Sequence, residues 1–220
     1  MSHVTKDTSW CTIDVDAKKG KIVLVERWQY AWKLGTPQMT RWTLPERQAF
    51  HARADRAVWN AWSNKAMLKV EGSSEFAKSL SGRDIPVYMD IRWVTAKPHW
   101  TALVTKVGKE TFKRSRVTWS IRQIELDTND FKEREECFGP PKDICVAQIP
   151  VAHEFGHTLG NIGRVHKGRS DEYDPLSLYS EDVASMMHTG NELRSRHFNH
   201  LLDELQGMIP DTVFSVGRLQ

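Results

Sequence analysis

Residues 150–160 read PVAHEFGHTLG, and this stretch decides how the rest of the chain is interpreted. The pattern is helical after Pro150, and Gly160 is a typical helix stop. His153 and His157 are four residues apart, so a helix places both imidazoles on one face, one turn apart. The sequence therefore predicts a helix with a packing side and a side that carries two histidines.

These two histidines can bind one zinc ion, because neutral imidazole nitrogens bind zinc at about 2.0–2.1 Å. Glu154 follows the first histidine and lies beside such an ion. Its carboxylate can take a proton from a zinc-bound water, whose pKa falls to roughly 7, and pass it to a leaving amine. The alternative is a chance match on an exposed helix. A glutamate at this place has no purpose in a purely structural zinc site, which favours catalysis.

Two segments resemble a known family. HEFGHTLG at 153–160 resembles the first part of the metzincin signature, and SMMHTG at 185–190 resembles the Met-turn of that clan of zinc peptidases. The tail from DEY at 171–173 to RSRHF at 194–198 is similar to a group of bacterial and phage metzincin-like proteins. The resemblance implies that Met187, with Met186 behind it, forms an apolar floor under the zinc ligands.

The chain departs from the family at the third zinc ligand. The signature places that ligand at position 163, which is Gly163 and has no ligand side chain. By family pattern the third ligand is Asp171, after an insert of eight residues. By chemistry the alternative is His166, since imidazole is the commoner ligand. Glu172 is a further alternative.

Three more polar residues could stabilise the oxyanion formed when a peptide carbonyl is attacked: Tyr173, His188 and His197. Helix capping, hydrogen bonding behind the ligands or simple surface exposure explains each of them equally well.

The function expected from this reading is a zinc endopeptidase that acts on a peptide or protein. An edge strand, either 101–107 or 117–126, would pair with the extended substrate. The resemblance favours a delivered toxin or a phage- or secretion-associated protease, and an inhibitor or immunity partner is left open. Two alternatives are a catalytically silent binding or assembly module and a zinc hydrolase that acts on another amide.

The order of elements predicts an α+β fold, because strands precede the late helices. The family implies a zincin-like domain over 1–220 with a mixed twisted sheet, an N-terminal lobe of about 1–160 and a C-terminal lobe of about 161–220. Thr43 and Glu46 form a capping box at the start of a long helix. The other expected elements are a hairpin within 10–30, strands at 67–70, 85–93, 101–107 and 117–126, loops at 128–141 and 161–185, and a last helix at about 192–207.

Composition excludes several classes. The 220 residues carry a net charge of +3 with interleaved signs, so no nucleic-acid footprint is present. No apolar run of about eighteen residues is long enough to span a membrane. The polar start at Met1–Trp10 has no secretory signal, so we expect synthesis in the cytoplasm and either retention there or export without such a signal.

The number of cysteines predicts free thiols rather than disulfides. The odd count, Cys11, Cys137 and Cys145, together with the absent signal favours free thiols. A Cys137–Cys145 bridge is the alternative, because glycine and proline at 139–141 could turn the chain back.

Overall fold

A computed structural model describes residues 3–140, 143–162 and 172–220. Within these ranges the chain is a mixed α+β fold with eleven strands and four α-helices. The strands are β1 His3–Asp7, β2 Thr12–Asp16, β3 Lys21–Leu34, β4 Ala66–Gly72, β5 Ile85–Trp93, β6 Trp100–Lys106, β7 Arg116–Thr118, β8 Gln123–Asp127, β9 Arg134–Phe138, β10 Ile144–Gln148 and β11 Thr212–Leu219. The helices are α1 Leu44–Trp62, α2 Glu75–Leu80, α3 Pro150–Thr158 and α4 Asn199–Met208.

Nine of the strands form one mixed sheet in the order β11-β4-β5-β3-β6-β8-β7, with β2 also on β3 and β1 on β2. Strand β3 pairs in parallel with β5 and β6, and β6 pairs in parallel with β8. Strand β7 is antiparallel to β8 and ends the sheet. The remaining strands, β9 and β10, form a separate antiparallel hairpin.

The core is built around β3, whose residues alternate between buried and half-buried positions. The buried row is apolar, from Ile22 and Leu24 to Trp28 and Tyr30, with one exception. That exception is Glu26, which is 0% exposed. A carboxyl group among apolar side chains is costly unless its polar atoms are satisfied, so the partners of Glu26 matter below.

Helix α1 begins as predicted. Thr43 accepts a hydrogen bond from the backbone N–H of Glu46, and the Glu46 side chain accepts one from the backbone N–H of Thr43. The buried face of the helix recurs at intervals of four residues, at Phe50, Ala54, Val58 and Trp62. The last of these reaches the motif helix, since Trp62 Nε1 donates to the carbonyl of Ala152 at 2.8 Å.

Several expected elements are confirmed. The hairpin is β2 and β3, the strands at 67–70 and 85–93 are β4 and β5, and the motif stretch is α3. The last helix was placed too early, because a 3₁₀ turn at Ser195–Phe198 precedes α4. The expected loop at 128–141 contains β9. The expected strand 117–126 is two strands, because Arg122 between them takes a left-handed φ of 51°.

The two candidates for an edge strand differ. Strand β6 lies between β3 and β8, so the proposal that 101–107 is an edge strand is wrong. Strand β7, from the other candidate segment, does lie at the edge of the sheet.

The expectation of free thiols is wrong for two of the three cysteines. Cys137 on β9 and Cys145 on β10 stand directly opposite each other and are joined by a disulfide. A two-stranded hairpin is marginally stable by itself, and a bond across it closes the pair. Cys11 is free and buried. Across the described residues, no helix combines the length and apolarity needed to span a membrane.

Candidate metal centre

The motif helix α3 is buried along its whole length. It ends where Gly160 takes a left-handed φ of 91°, which a side chain disfavours. The rings of His153 and His157 meet at a centroid distance of 4.6 Å, and their Nε2 atoms are 3.0 Å apart. The spacing therefore brings both imidazoles to one point, as the sequence predicts.

The other nitrogen of each ring faces a backbone carbonyl. Nδ1 of His153 is 2.7 Å from the oxygen of Met186, and Nδ1 of His157 is 2.8 Å from the oxygen of Asn161. A carbonyl oxygen only accepts, so each Nδ1 must carry the hydrogen and donate it. In the neutral rings both Nε2 atoms then present lone pairs to each other.

The charge state of His153 fits this arrangement. Burial, and then the neighbouring His157, lower the pKa of His153 to about 3. A neutral imidazole with its Nδ1–H held by a carbonyl is the form that binds a metal through Nε2.

The donor pair fits zinc. Two nitrogens bound tetrahedrally at 2.0–2.1 Å lie about 3.3 Å apart, close to the separation seen here. Within the described parts of the chain, no third Asp, Glu, Cys or His places a ligand atom within 4.8 Å of both imidazoles. Asp171 and His166, the predicted third ligand and its alternative, lie outside the described residues.

Glu172 has a different partner. Its two carboxylate oxygens face Arg196, at 2.7 Å from Nε and 2.9 Å from an Nη. Among the residues that the structure describes, one other group has ligand chemistry: Glu135 lies beside Cys137 and Cys145. The disulfide uses both of those sulfurs, so this group is not a thiolate site.

The segment at 185–190 lies beneath the helix. Met187 is buried, and its sulfur occupies the space where a Cβ on Gly156 would stand. The Trp62 ring also approaches that Cβ position, at 2.7 Å. Gly156 is therefore required by packing, and Met187 packs against the motif helix at this point.

A cleft of about 550 Å³ opens beside His153. The described residues that line it come from the loop before β7, from the β9–β10 hairpin, from α3 and from the segment around the Met-turn. They are Phe112, Arg114, Ser115, Arg134, Glu135, Glu136, Gln148, Pro150, His153, Glu154, Tyr173, His188 and Thr189. Glu154 thus shares the cleft with His153.

The three candidate oxyanion stabilisers are not equivalent. The ring of Tyr173 stacks on His153 at 6.1 Å and lines the cleft. His188 also lines it, but its nitrogens face the Ser180 carbonyl and the Thr189 hydroxyl. His197 is buried beneath the Met-turn, where Nδ1 accepts from the backbone N–H of Arg194 and Nε2 faces Ser185. Of the three, only Tyr173 both lines the cleft and has its ring against His153.

Three residues that support the centre were not predicted. Asn161 offers its carbonyl to His157 and donates its side-chain amide to the carbonyls of Gly156 and His197. The amide of Gln148 lies within 3.2 Å of three carbonyls of the turn, and Trp62 packs under the helix. Only Asn161 has a visible signal, as an asparagine next to the helix-ending glycine.

Comparisons of the chain with protein-family models, with curated proteins and with solved structures found no significant match.

Proposed function

We propose that the chain is a zinc-dependent metallopeptidase with a zincin-like fold and Glu154 as its general base. One observation carries the proposal. Two imidazoles on one helix each donate Nδ1–H to a backbone carbonyl and turn their Nε2 lone pairs towards each other at 3.0 Å. Two lone pairs at this distance repel each other unless a proton or a cation lies between them, and a metal site supplies the cation.

His153 and His157 would hold the ion, with Asp171 as the third ligand and His166 as its alternative. When bound, zinc supplies Lewis-acid polarisation of the scissile carbonyl and of the attacking water. The Glu154 carboxylate accepts a proton from that water and returns it to the nitrogen of the leaving amine. Tyr173, which lies over His153, can donate its hydroxyl proton as a hydrogen bond to the developing oxyanion.

The sheet edge beside the helix suits an extended substrate. Among the described strands, β7 pairs with β8 alone, so it is an edge strand, and it lies close to α3. A peptide laid along β7 would gain main-chain hydrogen bonds and cross the cleft over the histidines.

The disulfide bears on where the enzyme acts. Glu135, Glu136 and Gln148 of the β9–β10 hairpin line the cleft, so Cys137–Cys145 closes one of its walls. Disulfides persist in oxidising compartments. This favours action outside the cytoplasm, as expected for a delivered toxin or a secretion-associated protease.

The first test compares Glu154→Gln and His157→Ala with the wild type. Zinc content is measured by elemental analysis, and cleavage is measured by mass spectrometry on a complex mixture of peptides, which presumes no specificity. We expect Glu154→Gln to keep its zinc and to lose cleavage by at least about 100-fold, as loss of a general base does. His157→Ala should lose both.

Glu136→Gln is the matched control, because it removes another carboxylate that lines the cleft. A wild type that takes up no zinc after reconstitution would refute the proposal. If Glu154→Gln cleaves as well as the wild type, Glu154 is not the base. A cellular effect that survives Glu154→Gln would favour the silent binding module.

A further inference from the structure

Glu172 lies in a network of alternating charges under the Met-turn. It is 6% exposed, and Arg196 contacts both of its oxygens. Arg196 also reaches Asp182 at 2.6 Å, and Arg194 contacts both oxygens of Asp182 at 2.8 and 2.9 Å. Arg194 also contacts Glu192 at 2.8 Å, so the network joins three carboxylates to two guanidinium groups. The direct contact with Arg196 lets Glu172 stay ionised although it is buried.

The network touches the Met-turn through Ser185. His197 links Glu172 to Ser185, because its Nε2 lies 3.4 Å from a Glu172 oxygen and 3.1 Å from the Ser185 oxygen. The Ser185 oxygen in turn accepts the backbone N–H of Met187 at 3.2 Å. Glu172 is thus held by Arg196 on one side and by His197, which leads to the turn, on the other.

The residue of the turn that follows Ser185 orients the predicted ligand His153. The carbonyl of Met186 receives the Nδ1–H of His153 at 2.7 Å. Glu172 is also the chain neighbour of Tyr173, whose ring lies on His153, and of the predicted ligand Asp171. One anchored carboxylate therefore fixes the segments on both sides of the histidine pair.

We propose that Glu172 is a positioning residue of the metal centre: fixed by Arg196, it holds His197 and through it Ser185 and the Met-turn, so that Met186 sets the orientation of His153. The inference rests on the proposed function, because it concerns the affinity of that centre for zinc. It assigns Glu172 a place behind the ligands. Both of its oxygens already contact Arg196, and one also faces His197, which argues against Glu172 as the third ligand.

The test uses Glu172→Gln, which keeps the shape of the side chain and removes its charge, and Ser185→Ala, which leaves the carboxylate but breaks its link to the turn. Zinc affinity is measured by competition with a chromophoric chelator. The visible spectrum of the cobalt(II)-substituted protein reports the ligand geometry, and urea unfolding of the metal-free protein reports stability. We expect both variants to bind zinc about 10- to 100-fold more weakly, the range for residues that orient metal ligands.

Asp7→Asn is the control. Asp7 contacts Arg27 with both oxygens, at 2.8 and 3.1 Å. Its described partners are Thr12 on β2, Arg27 on β3 and His99 in the loop before β6. It should leave zinc affinity and the cobalt spectrum unchanged, whatever it does to stability.

Three results would overturn the inference. Glu172→Gln and Ser185→Ala could both bind zinc as tightly as the wild type. Glu172→Gln could abolish binding while Ser185→Ala binds normally, which would make Glu172 a ligand. A wild type that binds no zinc would remove the proposed function together with this inference, whereas the first two results leave the proposed function standing.

Discussion

Two buried glutamates lie near the candidate metal centre, and their environments shift the pKa of the carboxyl group in opposite directions. Burial raises the pKa of Glu26 to about 8, although hydrogen bonds to Thr158 and Trp28 and the charge of Arg122 pull it down. Burial also acts to raise the pKa of Glu172, but the contacts with His197 and then with Arg196 outweigh it and lower the pKa to about 2. Burial alone favours the neutral acid, and an imidazole and a guanidinium group in contact with the carboxylate reverse that preference.

Hydrogen-bond geometry supports a neutral Glu26 independently. The Thr158 hydroxyl lies 2.6 Å from Glu26 Oε1 and 2.6 Å from the carbonyl of Phe155. The hydroxyl has one proton and the carbonyl can only accept. If Glu26 carries a proton, it donates to Thr158 and Thr158 donates to Phe155, so that every group is satisfied. The Glu26 network thus ties β3 to the end of the motif helix without a net charge.

The largest expected effect is on the pH dependence of stability, when Glu26 is replaced by a residue that does not titrate. Its folded pKa is raised above the unfolded value of 4.5. Between these pH values Glu26 is ionised in the unfolded chain and protonated in the folded chain. Glu26 therefore makes the free energy of unfolding fall as pH rises from about 5 to 8, by up to roughly 1.4 kcal/mol per pH unit. Glu26→Gln, which can donate to Thr158 in the same way, should flatten this decline in urea unfolding free energy and be more stable than the wild type at pH 8. Parallel curves for the two proteins would show that Glu26 is ionised in the folded state.

The second largest expected effect is a loss of stability when the guanidinium group of Arg196 is removed from beside Glu172. Arg196→Ala leaves the Glu172 charge buried without its guanidinium and should lower the unfolding free energy at pH 7 by about 3 kcal/mol. The folded pKa of Glu172 is depressed, so the stability it contributes is present above pH 4.5 and is lost as pH falls towards 2. Arg196→Lys keeps a charge and should lose less. If the variant is as stable as the wild type and keeps the same acid transition, the contrast between the two glutamates fails.

The smallest effect tests the hydroxyl link. Thr158→Val keeps the shape of the side chain but removes the acceptor for the Glu26 proton, which should cost about 1 kcal/mol at pH 6. Thr158→Ser keeps the hydroxyl and should restore most of this loss. Differential scanning calorimetry at pH 6 compares the two. Equal destabilisation by valine and serine would mean that packing, rather than the hydrogen bond, accounts for the change.

Elements with strong local signals could be predicted from the sequence. The capping box at Thr43 marked α1, and alternation marked β5. Strand β9 was missed because it has no buried residue, and exposed charged residues such as Glu135 and Glu136 give no alternation. Strand β11 was missed although Thr212 and Phe214 are buried, because the alternation of buried and exposed positions stops after Ser215. Hydrophobic alternation does not indicate which strands lie beside a given strand in the sheet. For this reason β6 was considered a candidate edge strand, although it lies inside the sheet.

In the candidate site, too, features set by local geometry could be predicted and contacts between distant segments could not. The spacing of His153 and His157 fixes their common face, because helix geometry is local. Their hydrogen-bond acceptors could not be foreseen, since the carbonyls of Met186 and Asn161 are backbone groups that any residue type supplies. The Glu172–Arg196 pair joins positions whose contact depends on the whole path of the chain between them.

The contact between Gly156 and the Met187 sulfur also limits how this protein can evolve. A methyl group at 156 fits only if the side chain at 187 shortens or moves and the Trp62 ring also moves, so the three positions cannot mutate independently. Among descendants of a common ancestor they should covary. Glycine at 156 together with methionine at 187 would therefore be a more discriminating pattern for distant relatives than the histidine pair, which many unrelated helices carry by chance.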